Sequence, residues 1–311
     1  MSKIKINIVR PILPDIKDIK DDFSDCLKSG IVTNNGINVK KFEKNLKLHF
    51  NSKYNPVTFC NGQLAFYALL QAWKYKLKIK NFEKVYAIIP SFTWSGTINS
   101  LILSNIEPIF CDINDTLTAD LESIDLNVKK FRKIRKKIKF FISISNYGNI
   151  PDLKKIKSFC KENKLIPLVD SAAAFGSTFK EKYPINYGFD EIYSFHATKI
   201  MTSMEGGCVL SNNKKIIDLV RYFRDFGQFE KKIGNIKLPG LNAKMQEISA
   251  IIGSYNLKSF EKNFKSRLKI IKSYQNFFKY YSNRKFLIEM KVNPNTTCNY
   301  LYYPIIILKK S

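Results

Sequence analysis

Hydrophobic positions along the chain follow two rhythms. From about residue 57 to residue 225, short apolar runs alternate with longer segments whose apolar side chains recur every three or four residues. The runs at 57–60, 85–89, 108–113, 139–145, 165–170, 192–195 and 208–211 read as strands. Between them, residues 62–77 carry Leu64, Ala65, Ala68, Leu69, Ala72 and Trp73 on one side and read as a helix. Residues 152–163 read as another. Strand, helix, strand in this order predicts an α/β fold with a mostly parallel central sheet flanked by helices. The densest basic run, 128–139, has Val128, Phe131, Ile134 and Ile138 at helical spacing. That predicts a helix whose lysines and arginines cover its solvent face.

The polar, glycine-bearing stretch 227–240 looks like a boundary. Beyond it Phe260, Phe264, Leu268, Ile271 and Phe278 fall at helix spacing, which predicts a long linking helix. Residues 300–308 read as a strand, and the sequence stops at Ser311. The expected division is a large domain over 1–235, then linking helices and a partial, smaller C-terminal α+β domain over 236–311. A length of 311 residues agrees with two domains at roughly 150 residues each.

Composition sharpens this only a little. At 45% hydrophobic residues the chain can bury a substantial core, which excludes disorder. No stretch approaches the ~18 uninterrupted apolar residues of a membrane span. The first 18 residues have charge and proline where a signal peptide needs an apolar stretch. A soluble, cytoplasmic protein is the expectation. The net charge of +26 would favour acidic partners, nucleic acid included. No nucleic-acid-reading motif accompanies it, and the lysines are scattered, so a nucleic-acid partner is not expected. Cys26, Cys60, Cys111, Cys160, Cys208 and Cys298 form no CxxC pair, and His49 and His196 are the only histidines. Reduced thiols are expected, with no metal site.

Candidate chemistry collects where predicted strands end, the usual place for ligands in open parallel sheets. At Cys60-Asn61-Gly62-Gln63 a strand passes through glycine into a helix, whose free N–H groups and positive end suit a phosphate. At Phe92-Thr93-Trp94 an aromatic side chain can stack on a flat ring. At Val169-Asp170-Ser171-Ala172 an apolar strand delivers a carboxylate that needs a cationic partner. At Ser194-Phe195-His196-Ala197-Thr198-Lys199 a lysine follows a buried strand, ahead of Glu205-Gly206-Gly207. Lysine forms a Schiff base with an aldehyde cofactor. Phosphate cradle, stacking aromatic, carboxylate and lysine are together what pyridoxal 5′-phosphate requires.

These stretches carry a resemblance. With Thr33-Asn34-Asn35-Gly36, Phe42-Glu43, Pro108-Ile109-Phe110-Cys111-Asp112-Ile113, Phe175-Gly176, Arg224-Asp225-Phe226-Gly227 and Gly240-Leu241-Asn242-Ala243-Lys244-Met245, the sequence resembles the DegT-type (DegT/DnrJ/StrS) nucleotide-sugar aminotransferases from about residue 33 onward. The resemblance implies the fold of type I pyridoxal-phosphate enzymes. It implies Lys199 as the residue holding the cofactor and moving the proton, and Asp170 as partner of the pyridinium nitrogen. Ser194 and the backbone at Gly62 and Gln63 would bind the phosphate, and Trp94 would stack on the ring. Asn242 would reach the phosphate of a neighbouring subunit, because the sites are shared in a homodimer. Asn35, His196 and Glu205 would lie near the substrate. The implied reaction passes an amino group from glutamate to a nucleotide-linked 3- or 4-keto-6-deoxyhexose, with dTDP the expected carrier. The usual destination is cell-surface glycan or lipopolysaccharide.

The chain departs from the family pattern in three ways. Gln63 stands where threonine is usual, and Ala173 where histidine or glutamine is usual. The small domain looks shortened. An alternative reading is therefore a truncated, non-catalytic relative that binds pyridoxal phosphate or sugar nucleotide without turnover. Sugar dehydratases share the fold but carry histidine in place of the lysine, which Lys199 argues against.

Overall fold

The computed structural model of the chain describes residues 9–126, 129–228, 235–236, 238–280 and 287–307. Two helices come first, α1 (Ile16–Ser29) and α2 (Ile37–Phe50). Then come β1 (Val57–Phe59), α3 (Gly62–Lys76), β2 (Val85–Pro90), α4 (Ser95–Leu103), β3 (Ile106–Cys111) and the single turn α5 (Lys129–Arg132). They are followed by β4 (Ile138–Ile144), α6 (Leu153–Asn163), β5 (Ile166–Asp170), β6 (Thr178–Phe179), β7 (Asp190–Ser194), β8 (Gly207–Leu210) and α7 (Lys214–Arg224). The long helix α8 (Glu247–Tyr280) leads to β9 (Leu287–Glu289), β10 (Thr296–Thr297) and β11 (Ile305–Ile307). No described helix is long and apolar enough to cross a membrane.

Seven strands make one sheet in the order β1-β8-β7-β5-β4-β2-β3. Neighbours from β3 to β7 are parallel, and β8 lies antiparallel between β7 and β1. The expected α/β architecture with a mostly parallel sheet is present. Its strands read as continuous apolar runs because both faces are buried. Ala87, Ile89, Phe140, Ile142 and Leu168 pack with α3 and α7 on one face. Their neighbours Ile88, Phe141 and Val169 pack beneath α6 on the other. Towards β8 that second face is covered instead by Phe42, Phe50, Phe260 and Phe264, which pack on Tyr193 and Cys208.

Two expected elements differ. The basic run makes only the turn α5 and a 3₁₀ turn at Arg135–Lys137 before β4 begins at Ile138. Phe131 and Ile134 do pack inward, but Ile138 pairs with Tyr86 in the sheet. A helix continued to 139 would take Ile138 out of that ladder, so the spacing is shared by two elements. Val128 lies outside the described residues. The strand expected at 300–308 is confined to β11, with Leu308 outside the described residues. Tyr300 has φ +47, which breaks an extended chain there.

Buried charges tie the early helices to the sheet. Glu43 on α2 is 2% exposed. Its Oε1 accepts from the Thr58 amide, the Thr58 hydroxyl and Arg224 Nη1, each at 3.0 Å, and its Oε2 accepts from Arg221 Nη1 at 3.0 Å. Glu247, at the start of α8, is fully buried and caps α2. It accepts from the amides of Asn38 (2.7 Å) and Val39 (3.4 Å), where a carboxylate complements the helix dipole. Gly36 is small for that reason: a Cβ there would sit 2.7 Å from the Glu247 carboxyl carbon. Truncating one partner of a buried ion pair strands the other charge. Glu43→Ala is expected to lower unfolding stability in urea by about 3–5 kcal/mol. A change near zero would mean that Arg224 is rehydrated without cost.

Candidate active site

The carboxyl ends of β2, β4, β5 and β7 meet at one edge of the sheet, with the amino end of β8 beside them. A cleft of about 560 Å³ opens there, lined by Gly62, Gln63, Trp94, Asp170, Ser194, His196, Lys199 and Glu205 among others. Eight residues picked from separate stretches of sequence thus meet in one place. Asn35 and Asn242 do not line it. Asn35 lies in the turn before α2, at φ +61, with its Oδ1 buried and without a hydrogen-bond partner. Asn242 pairs with Asp225 in an isolated bridge, and its expected target belongs to a second subunit.

Each side chain is placed by a local cause. Asn61 caps α3, its side chain accepting from the Leu64 amide at 2.8 Å. The amides of Gly62 and Gln63 precede that bond and lie at the helix's positive end, where an anion is favoured. The end of α3 rests directly on β8 and β7. A Cβ on Gly207 would lie 2.5 Å from the Gly62 Cα, and a Cβ on Gly62 would lie 2.9 Å from the Ser194 Cβ. Two glycines therefore bring the helix terminus, Ser194 and the sheet edge into contact.

Asp170 ends β5 and is 7% exposed. Its Oδ2 accepts from the Thr97 hydroxyl at 2.6 Å and its Oδ1 from the Ala172 amide at 2.9 Å. These bonds fix the orientation of the carboxylate. Behind it, Ser171 donates to Glu191 at 2.9 Å, and burial pushes the Glu191 carboxyl up to about 7. Lys199 is half-buried in the loop after β7. Burial lowers its amine below the ordinary lysine range, and the charge of Asp170 partly offsets this. The amine is thereby nearer to its neutral, nucleophilic form.

His196 bridges two arms of the same loop. Its Nε2 lies 3.3 Å from Glu205 Oε1, and its Nδ1 lies 2.9 Å from the Thr198 hydroxyl. Trp94 is 80% exposed, with one ring edge against Gly96, so a ring face is free. Tyr302 enters the cleft from the C-terminal segment. That segment is held by Asn299, whose Nδ2 donates to the carbonyls of Ala173 and Phe175 at 2.9 Å each.

Two residues with evident parts to play were missed in the sequence. Thr97 sits in the run Ser95-Gly96-Thr97, whose small residues at a strand's end were the available signal. Ser145 is the first residue after β4, and nothing in composition marks it. The described residues fit pyridoxal phosphate on structural grounds. A glycine-built helix end can take a phosphate and a fixed carboxylate can take a pyridinium. A lysine amine is on hand for the aldehyde, and the hydroxyls of Thr93 and Ser145 are buried at the cleft without hydrogen-bond partners.

Comparisons with known proteins agree with this geometry. The model of the DegT/DnrJ/EryC1/StrS aminotransferase family matches residues 14–311. Protein Rv3402c of Mycobacterium tuberculosis is 30% identical over 273 residues, which is 87% of this chain and 64% of that one. GDP-perosamine synthase of Vibrio cholerae is 29% identical over 253 residues, 81% of this chain and 65% of that one. The chain therefore spans just under two thirds of the length of these relatives. Among solved structures, Helicobacter pylori PseC, an aminotransferase involved in the biosynthesis of pseudoaminic acid, shares the fold with a TM-score of 0.84 at 22% identity. That match covers 97% of this chain and 78% of that one. The chain belongs to the DegT/DnrJ/EryC1/StrS aminotransferase family.

Proposed function

We propose that the chain is a pyridoxal 5′-phosphate-dependent sugar aminotransferase. It takes an amino group from glutamate and passes it to a nucleotide-linked 3- or 4-keto-6-deoxyhexose. The supporting observation is the convergence of a lysine amine, a fixed carboxylate and an anion-binding helix end on one cleft. When bound, the cofactor supplies an aldehyde that takes up an amino group and a ring that accepts the electron pair left on carbon.

The chain's own groups do the rest. Lys199 would hold the cofactor through its amine, whose proton affinity is lowered by burial. The same amine, when free, would be the group that takes up and returns a proton beside the cofactor. Asp170, aligned by Thr97 and Ala172, would keep a proton on the ring nitrogen. The amides of Gly62 and Gln63, with the Ser194 hydroxyl, hold the phosphate. Trp94 covers one face of the ring. His196 and Glu205 form the polar wall towards the substrate. Asn242 reaches the phosphate group in a second subunit of a homodimer, and Asn35 lies close to substrate there.

The V. cholerae relative is named for a GDP-linked sugar. The dTDP carrier expected from the sequence is therefore to be compared with GDP. The six cysteines, all free, support a reducing, cytoplasmic setting. Surface polysaccharide or lipopolysaccharide synthesis is the proposed use of the product.

Two variants test the reading by absorption. Native protein mixed with pyridoxal phosphate is expected to show a Schiff-base band that glutamate bleaches, and Lys199→Ala to show only free cofactor. Equal spectra would remove Lys199 from its role. Asp170→Asn is expected to keep the band but to slow bleaching by about 10²-fold or more, the scale of losing one fixed electrostatic partner. An unchanged rate would mean that Asp170 does not control the ring nitrogen.

A further inference from the structure

Pyridoxal phosphate has a fixed layout. Its aldehyde carbon stands opposite the ring nitrogen. The phosphate arm flanks that carbon on one edge of the ring, and the phenolic oxygen flanks it on the other. The reading proposed above, on which this inference rests, places three of these groups. The nitrogen is at Asp170, the aldehyde is at Lys199, and the phosphate is at the amino end of α3. That helix end touches Ser194 on β7 and Gly207 on β8. In the sheet, β5 has β7 on one side and β4 on the other. With the nitrogen at the end of β5 and the phosphate towards β7 and β8, the phenolic edge faces β4.

The first residue past β4 is Ser145. It lines the cleft and is fully buried. Its amide donates to the Asp170 carbonyl at 3.0 Å, which holds it beside the nitrogen's partner. Its Oγ has no hydrogen-bond partner, and a buried hydroxyl left so is costly unless a ligand completes it. The alternatives on that wall are spent or too short. Both N–H groups of Asn146 are used, donating to the Phe92 carbonyl at 3.0 Å and the Leu117 carbonyl at 2.8 Å. Ala173 lines the cleft with a methyl group, and its carbonyl is taken by Asn299. The other cleft-lining hydroxyl without a partner among the described residues, on Thr93, follows β2, one strand further from Asp170.

We propose that the Ser145 hydroxyl donates a hydrogen bond to the phenolic oxygen of bound pyridoxal phosphate. It takes the place of any contact from position 173. The bond anchors the ring's fourth substituent. It also draws charge from the phenolate and so weakens that oxygen's hold on the proton it shares with the Lys199 nitrogen. The other ionisable groups facing the cleft are Asp170, His196, Glu205 and Tyr302. They are the same in native and variant protein and cancel in the comparison.

The test is a pH titration of the Lys199 band, with cofactor affinity measured alongside, in native protein, Ser145→Ala, Ser145→Thr and Thr93→Ala. Ser145→Ala is expected to bind pyridoxal phosphate about tenfold more weakly, the scale of one hydrogen bond to a charged acceptor. Its band is expected to titrate about one pH unit higher. Ser145→Thr keeps a hydroxyl and is expected to restore both values. A Ser145→Ala protein with the native midpoint and affinity would overturn the assignment, as would the same shift appearing in Thr93→Ala instead. Absence of any band in native protein would overturn the cofactor reading itself, a result distinct from the other two.

Discussion

The site depends on one close contact, the amino end of α3 resting with Gly62 on Gly207 of β8 and against Ser194 of β7. Gly62 and Gly207 leave so little room that a single added Cβ on Gly207 would fall 2.5 Å from the Gly62 backbone. The contact places the positive end of the helix and its free amides beside Ser194. It also sets where the positive end of α3 lies relative to the ends of β5 and β4.

The second constraint is burial of charge. Glu43, Arg224 and Glu247 lie in the low-dielectric interior, where each must be matched. Their partners are far away in sequence: Glu43 meets residues 178 and 181 positions later, and Glu247 meets an amide 209 positions earlier. Both α2 and α8 are thereby locked to the sheet that carries the site. Gly176 gives the same message. It has φ +81, and a Cβ there would strike Phe260 of α8 at 2.4 Å. The loop after Asp170 is thus held from below by α8 and from the side by Asn299.

Much of this was legible in the sequence. Strands buried on both faces give short apolar runs, so the sheet could be read from hydrophobicity alone. Most of the cleft could be read because its candidates stand at the ends of those runs, with Glu205 just ahead of one. Other features left no local mark. The basic segment 128–139 has a spacing that suits a helix, but Ile138 is claimed by the sheet, a tertiary choice invisible in a window of twelve residues. Tyr300 leaves the extended region where sequence suggested a strand. Thr97 and Ser145 are ordinary small hydroxyl residues, and only their neighbours show what they face. The pairing of Glu43 with Arg224 was present as two separate resemblance markers, and only the fold joins them.

The central claim is that one lysine in a lysine-rich chain is set apart to hold an aldehyde cofactor. The most direct measurement is reductive trapping. Protein incubated with a limiting amount of pyridoxal phosphate is treated with borohydride and digested, and the cofactor's mass is located by peptide mass spectrometry. The account predicts a single dominant adduct on Lys199, because its amine is less protonated than those of exposed lysines and the other cofactor groups are held around it. Adducts spread over surface lysines, with none favoured at Lys199, would contradict it.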